Sequence, residues 1–173
     1  MPASWLSTLA FAVAWLLVML AYSPVADPLA ARLIAVPPKL AAFRFLQQSR
    51  SKLLIGIALA CIYGGFLEEV IFRGFVQRAL EALLVPRLFA PMGIGLAICA
   101  PALAAGIVHL YQGVRAAIII AQLSALFGVL FVISEHDLWA VVLCHGLYDT
   151  IAFIRFANRK SKYAQFARDA DVT

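Results

Sequence analysis

The stretch AAIIIAQLSALFGVLFVIS, from Ala116 to Ser134, contains no charged residue in 19 positions. A helix needs roughly 20 mainly apolar residues to cross the hydrocarbon core of a bilayer. The stretch therefore predicts a membrane-spanning helix. Four further apolar runs indicate the same, and the five predicted spans are Trp5 to Ala26, Leu53 to Leu67 running on into Glu68, Leu88 to Val108, Ala116 to Ser134, and Leu138 to Ile154.

The composition supports a membrane protein. Of the 173 residues, 64% are hydrophobic and only 13% are charged, whereas a soluble domain carries about 25% charged residues. Five spans leave little chain for a separate soluble domain. The expected fold class is all-α, a polytopic transmembrane helix bundle that forms one integral membrane domain over residues 1–173.

The first apolar run could in principle be a secretory signal peptide. No Lys or Arg precedes Arg32, so the run lacks the basic flank of such a peptide. It is also longer than the usual apolar region of a signal peptide, and no small-residue cleavage site with a mature domain follows. We interpret it as a retained span that ends near Pro24 and Pro28.

The segment from Asp27 to Lys52 alternates basic and apolar residues and is interrupted at Pro37 and Pro38. It is too charged to span a bilayer and too apolar to be a free loop. We expect two short helices lying in the membrane interface.

The net charge is +5. Because the basic residues flank the spans, we expect them to interact with the membrane surface rather than with nucleic acid. With five spans, eleven of the 14 Lys and Arg residues fall on one side and three on the other. Such an excess marks the cytoplasmic side. This predicts that the C-terminus lies in the cytoplasm, with the bilayer as lipid partner. The expected location of this multi-pass protein is a bacterial inner membrane.

Ionisable residues inside membrane spans are costly and are candidate functional residues by default. On a helix, Glu69 and Arg73 are four residues apart, so they share a face and can pair. Glu68 is rotated away from Arg73, which leaves it as a candidate general base. The alternative is that both acids lie at a helix end in water.

His145 and Asp149 are also four residues apart, and an aspartate in that position can fix the tautomer and orientation of a histidine. Alternatively, the two residues form a polar pair that holds helices together. His109 ends an apolar run, where a histidine alone is unremarkable. Because helix bundles build sites from facing helices, we expect Glu68, His109 and His145 to converge on one cavity.

These residues resemble the motifs of the CAAX prenyl protease and bacteriocin-processing family, also called the CPBP or ABI family. Two glutamates followed by an arginine stand here as Glu68, Glu69 and Arg73. The family's phenylalanine four residues before a histidine is Ala105 here, ahead of His109. Its third motif, a histidine four residues before an asparagine or aspartate, is matched by His145 and Asp149, and the resemblance covers about Leu53 to Phe156.

The resemblance implies peptide-bond hydrolysis without a covalent intermediate. Glu68, helped by His109, would activate a water, and His145 with Asp149 would stabilise the oxyanion. Glu69 and Arg73 would be structural or substrate-positioning. Under this reading, residues 51–157 form the catalytic core, 1–50 the first span with the interfacial segment, and 158–173 a basic cytoplasmic tail.

No cofactor is expected, although two histidines with carboxylates could also form a zinc set. No HExxH helix is present, and Cys61, Cys99 and Cys144 stand singly, which indicates neither a zinc knuckle nor a disulfide framework.

Two positions depart from the family pattern or its best-known form. Ala105 puts the support of the His109 ring in question. An ionised Asp149 cannot donate a hydrogen bond to an oxyanion, so its role would be to orient or charge His145.

The expected partner is a peptide or protein tail, with no nucleic acid, and the oligomeric state stays open. The tail could be a prenylated cytoplasmic C-terminus, a bacteriocin leader or a C-terminal sorting signal.

The charge count places Glu68 and His145 toward the outer half of the membrane and His109 nearer the inner end. The alternatives to an enzyme are a non-catalytic immunity or binding protein and a small transporter, the latter disfavoured by the lack of a repeated half.

Overall fold

A computed structural model describes residues 4–170, with side chains described as far as Arg159. Five of its helices are long and apolar enough to cross a membrane, and the described part of the chain has no strand. This confirms the predicted all-α transmembrane bundle and its five spans. The long helices are α1 Trp5–Leu33, α2 Arg50–Leu84, α3 Ala90–Val108, α4 Val114–Ile133 and α5 Leu138–Ala170, whose candidate span is Leu138–Arg159.

The end predicted for the first span is wrong, because α1 continues through Pro24 and Pro28 to Leu33. Proline removes a helical hydrogen bond, but membrane helices tolerate proline better than helices in water. Near the two prolines, the side-chain amide of Gln122 on α4 donates to the carbonyl oxygen of Ala26 at 3.5 Å. Ala26 is also fully buried in the bundle, so packing holds this part of the helix.

Only one short helix, rather than the two expected, lies between α1 and α2. It is a 3₁₀ helix over Ala41–Gln47, and we call it the capping helix. The Gln47 side-chain amide donates to the Phe156 carbonyl of α5 at 3.0 Å. The residues between Leu33 and the capping helix are extended or irregular, because the backbone amide of Lys39 donates to the carbonyl of Gln112 at 2.7 Å rather than within a helix.

The connections between helices gather at two ends of the bundle. At one end, which we call the basic end, Arg115 at the start of α4 pairs with Asp27 of α1 at 2.7 Å, and the turn Leu110–Gln112 meets the segment before the capping helix. At the opposite end, the Thr8 hydroxyl donates to Asp137 at 2.5 Å.

The core joins α1, α4 and α5. Leu16 and Met19 of α1 pack against Phe131 of α4 and against Val141 and Cys144 of α5. These side chains are nearly inaccessible. The first helix is therefore an integral part of the bundle, and Cys144 serves as a small core residue rather than as an exposed thiol.

The second helix differs from an ordinary α-helix along half its length. Residues Cys61–Glu68 and Val70–Gln77 form wide π-helical turns between the α-helical ends Arg50–Ala60 and Arg78–Leu84. Single π-turns inside helices are often found at functional sites. In the described chain, Arg50–Ala60 contacts the capping helix and α5 but not α3 or α4, so a space opens between these helices.

Candidate active site

The deepest part of the site is a buried ion pair. Arg73 Nη1 lies 3.1 Å from Glu69 Oε1, and the exposed fractions of their side chains are 2% and 0%. The other end of the guanidinium, Nη2, donates to the carbonyl and hydroxyl of Ser124 on α4, the latter at 2.7 Å. The pairing expected from the four-residue spacing is present, and it ties α2 to α4.

The same glutamate contacts the second histidine. His145 Nδ1 lies 2.6 Å from Glu69 Oε1, and because a carboxylate only accepts, Nδ1 carries the hydrogen. Asp149 Oδ2 is 3.6 Å from the other ring nitrogen, Nε2, which is longer than a hydrogen bond. The expectation that Asp149 fixes the tautomer of His145 is therefore wrong in this structure, because Glu69 does so from the neighbouring helix.

Two glycines allow this contact between helices. A Cβ atom on Gly65 would lie 3.2 Å from both Cα and N of Gly146. Without side chains at these positions, α2 and α5 approach closely enough for Glu69 to reach His145. The sequence spacing could not reveal this, because it reports neighbours within one helix only.

An aromatic ring fixes the plane of His145. The ring of Phe127, on α4, stacks against it with centroids 4.4 Å apart, and the Arg73 guanidinium carbon lies 5.7 Å from the Phe127 centroid. Sequence reasoning missed both Phe127 and Ser124. Ser124 could have been noticed as a polar residue within an apolar span, whereas nothing in the sequence distinguishes Phe127 from other apolar residues.

The end of α3 orients His109. The helix closes with a tighter turn, in which the His109 amide donates to Gly106 at 3.1 Å rather than to Ala105. This leaves the Ala105 carbonyl free to bond His109 Nδ1 at 2.8 Å. Nδ1 therefore carries the hydrogen, and Nε2 of the neutral ring is an acceptor. The ring is thus supported by the backbone of Ala105, where the family pattern has a phenylalanine.

Glu68 is the accessible acid of the pair. Its side chain is 32% exposed, and Oε1 lies 3.9 Å from Nε2 of His109. The Glu68 carboxylate has no hydrogen bond to any described residue. It is therefore available to a water or a substrate, whereas its neighbour Glu69 is fully buried and engaged.

These groups border one cavity of about 450 Å³, which we call the central cavity. It lies in the space between the first half of α2 and helices α3 and α4. Of the residues singled out from the sequence, it is lined by Glu68, Arg73, His109, His145 and Asp149. Gly64 forms part of its wall, and a Cβ there would approach Asp149 Oδ2 to 3.0 Å, so the glycine preserves space beside these groups.

The central cavity reaches the basic end of the bundle. At that end its lining includes Phe43 and Phe45 of the capping helix, Tyr111 and Gln112 of the turn after α3, and Phe153 of α5. The charge count places His109 nearer the basic end than Glu68 and His145, and the lengths of the helices bring these groups together. Because α2 is 35 residues long and α3 only 19, α3 ends level with the middle of α2 and brings His109 to Glu68.

No three histidine, cysteine, aspartate or glutamate side chains are grouped as a metal-ion ligand set in the part of the chain that the structure describes. Besides the buried Glu69 and Arg73, the candidate ionisable residues lie as two neighbouring pairs. Glu68 lies beside His109, and Asp149 lies beside His145.

The model of the Rce1-like family, described as type II CAAX prenyl endopeptidases, matches residues 50–151. The chain belongs to the Rce1-like family. The matched region contains all six candidate site residues, and together with the five spans it identifies a multi-pass membrane protein of a protease family. No curated protein and no solved structure matched the chain.

Proposed function

We propose that this chain is a glutamic-type intramembrane endopeptidase that hydrolyses a peptide bond in a protein tail with a water activated by Glu68. The observation that carries the proposal is the position of the Glu68 carboxylate, 3.9 Å from His109 Nε2 on a cavity that His145 also borders. Membership in a peptidase family makes hydrolysis the reaction class that this geometry supports best.

The pair of Glu68 and His109 suits the activation of water. Because Nδ1 of His109 donates to a backbone carbonyl, Nε2 of the neutral ring and the Glu68 carboxylate are both acceptors. A water molecule between them would donate one hydrogen to each and direct its oxygen lone pair at the scissile carbonyl. Glu68 then takes the proton that the water loses on attack and delivers it to the leaving amine.

The opposite side of the central cavity suits the oxyanion. With Nδ1 of His145 donating to Glu69, a protonated ring offers Nε2–H to the carbonyl oxygen as negative charge develops there. Asp149 Oδ2, 3.6 Å from that nitrogen, would compensate the charge of the imidazolium. Stacking on Phe127 holds the ring in the orientation that this donation requires.

Glu69 and Arg73 would act as positioning residues. Glu69 orients His145, and Arg73 holds Glu69 in place while neutralising it. Both side chains are buried, and Glu69 would act on the reaction through its hydrogen bond with His145. Their expected effect on catalysis is therefore indirect.

The central cavity also restricts the class of substrate. Its lining is mainly aromatic and aliphatic at the basic end, which suits an apolar tail segment. If that end faces the cytoplasm, as the charge distribution predicts, cytoplasmic tails fit the central cavity better than exported ones.

Co-expression of the protein with candidate tail fusions tests the function. Wild type should shorten a fusion that carries a suitable tail, and Glu68→Ala should not. Glu135→Ala is a matched control, because Glu135 lies in the connection at the opposite end of the bundle. If Glu68→Ala still protects a host or binds its partner at full strength, the protein acts by binding and not by proteolysis.

A further inference from the structure

A second cavity lies beside the central one. It has a volume of about 330 Å³, and we call it the side cavity. The two cavities share four lining residues, which form the wall between them: Phe43, Gln112, Tyr148 and Phe153. The rings of Phe43 and Phe153 contact each other at a tilt, with centroids 5.8 Å apart, so two aromatic side chains form part of this wall.

The remaining lining of the side cavity combines apolar side chains with two arginines. Leu20, Leu40, Leu46 and Ile151 are among the apolar residues, and the polar side chains are Arg155 and Arg159 of α5 and Ser23 of α1, whose hydroxyl accepts from Tyr148. The two arginines are four residues apart, so they lie on one face of the helix. Neither guanidinium has an ion-pair or hydrogen-bond partner among the described side chains.

We propose that the side cavity binds the C-terminal end of the substrate tail, with Arg155 and Arg159 holding its terminal carboxylate. This assignment rests on the proposed function for the direction in which the tail runs. An arginine guanidinium binds carboxylates through paired, charge-assisted hydrogen bonds. The apolar wall then accommodates the last side chains of the tail, and the continuity with the central cavity favours the substrate over a free anion.

The distances along α5 agree with one peptide lying in both cavities. Arg155 follows Asp149 by six residues, which corresponds to about 9 Å along a helix. Arg159 is about 15 Å from Asp149 by the same rise. An extended peptide advances about 3.3 Å per residue, so a chain of a few residues links the catalytic groups to the arginines.

Other basic residues at the same end do not share this placement. Arg50 and Lys52 begin α2, and neither lines the central or the side cavity. Arg115 is engaged by Asp27 at 2.7 Å. The pair on α5 is therefore distinguished by its cavity rather than by its charge alone, and Arg50 and Lys52 provide a matched control.

Binding of two pentapeptides tests the proposal without requiring cleavage. Both carry the same alanine- and leucine-rich sequence and an N-terminal fluorophore, and they differ in ending with a free carboxylate or a carboxamide. Their Kd values are measured with Glu68→Gln protein in lipid nanodiscs of neutral phosphatidylcholine. We expect the carboxylate peptide to bind about 10-fold more tightly, because charge-assisted hydrogen bonds exceed neutral ones in strength.

The double variant Arg155→Ala, Arg159→Ala should remove the preference and leave carboxamide binding unchanged. The control Arg50→Ala, Lys52→Ala should keep it. The proposal is overturned if the carboxylate peptide does not bind, if Glu68→Gln protein shows no preference, or if the double variant retains it. It is also overturned if the arginines affect only the retention of phosphatidylglycerol in nanodiscs that contain this lipid, since the pair would then be a lipid-headgroup site.

The binding measurement and the cleavage measurement test the two proposals separately. A carboxylate preference in a protein that cleaves no tail would support the side cavity as a binding site and contradict the proposed hydrolysis. Cleavage without such a preference would leave the hydrolysis intact and remove the role of Arg155 and Arg159.

Discussion

Arg73 is the largest of the fully buried side chains in the described part of the chain. Its charge is compensated by Glu69, and its second nitrogen is held by Ser124. Removing one partner of a buried ion pair leaves the other charge uncompensated, which costs about 3–5 kcal/mol. The stability of the bundle and the geometry of the site therefore depend on the same contact.

Arg73→Ala should lower the yield of folded protein and its thermal stability in detergent, because it leaves the buried Glu69 carboxylate with only the His145 ring as a partner. Arg78→Ala is the control. Arg78 also pairs with a glutamate of its own helix, at 3.5 Å, but its side chain is 52% exposed, so its loss should cost less than about 1 kcal/mol. Normal accumulation of Arg73→Ala with loss of activity alone would instead make Arg73 a substrate-binding residue.

The six ionisable residues of the site could be found from the sequence because charges are rare inside spans. Their partners could be found only in part. Four-residue spacing predicted the contact between Glu69 and Arg73, but His145 bonds Glu69 on another helix. Such contacts depend on how closely two helices approach, and the spacing along one helix carries no information on that distance.

At the scale of the helices, the contact between α2 and α5 positions the catalytic groups. A Cβ on Gly65 would press on the backbone of Gly146 at 3.2 Å, and backbone cannot move aside as a flexible side chain can. The distance between these helices therefore sets the hydrogen bond from His145 to Glu69.

Gly65→Val should separate α2 from α5 and lower the rate of cleavage by about 100-fold, the cost typical of a displacement of about 1 Å in an active site. Gly95→Ala is the control, because a Cβ on Gly95 meets nothing within 4 Å and alanine favours a helix over glycine by about 1 kcal/mol. Equal activity of the Gly65 variant and the wild type would show that the close approach is not required.

The helices themselves were largely predictable, since apolar runs identify spans. Two features were not. Proline was expected to end the first span at Pro24, but packing of Ala26 and Ala30 continues α1 to Leu33. The π-helical turns of α2 also have no counterpart in hydropathy, which does not distinguish helix types.

For the whole molecule, the orientation in the membrane decides which proteins can reach the central cavity. The basic end carries the excess of Lys and Arg, and the central cavity reaches it. If the positive-inside rule holds, substrates enter from the cytoplasmic side or from the adjoining leaflet.

Single cysteines in a background without the three native ones should report this orientation. Glu135→Cys, at the opposite end, should react with a membrane-impermeant maleimide in intact cells. Ala41→Cys, in the capping helix, should react only after the membrane is opened. The reverse pattern would contradict the cytoplasmic position of the cavity.

The central claim is that Glu68 activates the water that cleaves the peptide bond. It is tested most directly by the cleavage rate of purified wild type and Glu68→Gln in nanodiscs, with a metal chelator present throughout. Glutamine keeps the shape of Glu68 but cannot take up the proton of the water, so the rate should fall by about 10²- to 10⁴-fold, while the chelator leaves the wild type unchanged. A Glu68→Gln enzyme that cleaves at the wild-type rate, or a wild type that the chelator inactivates, would contradict the account.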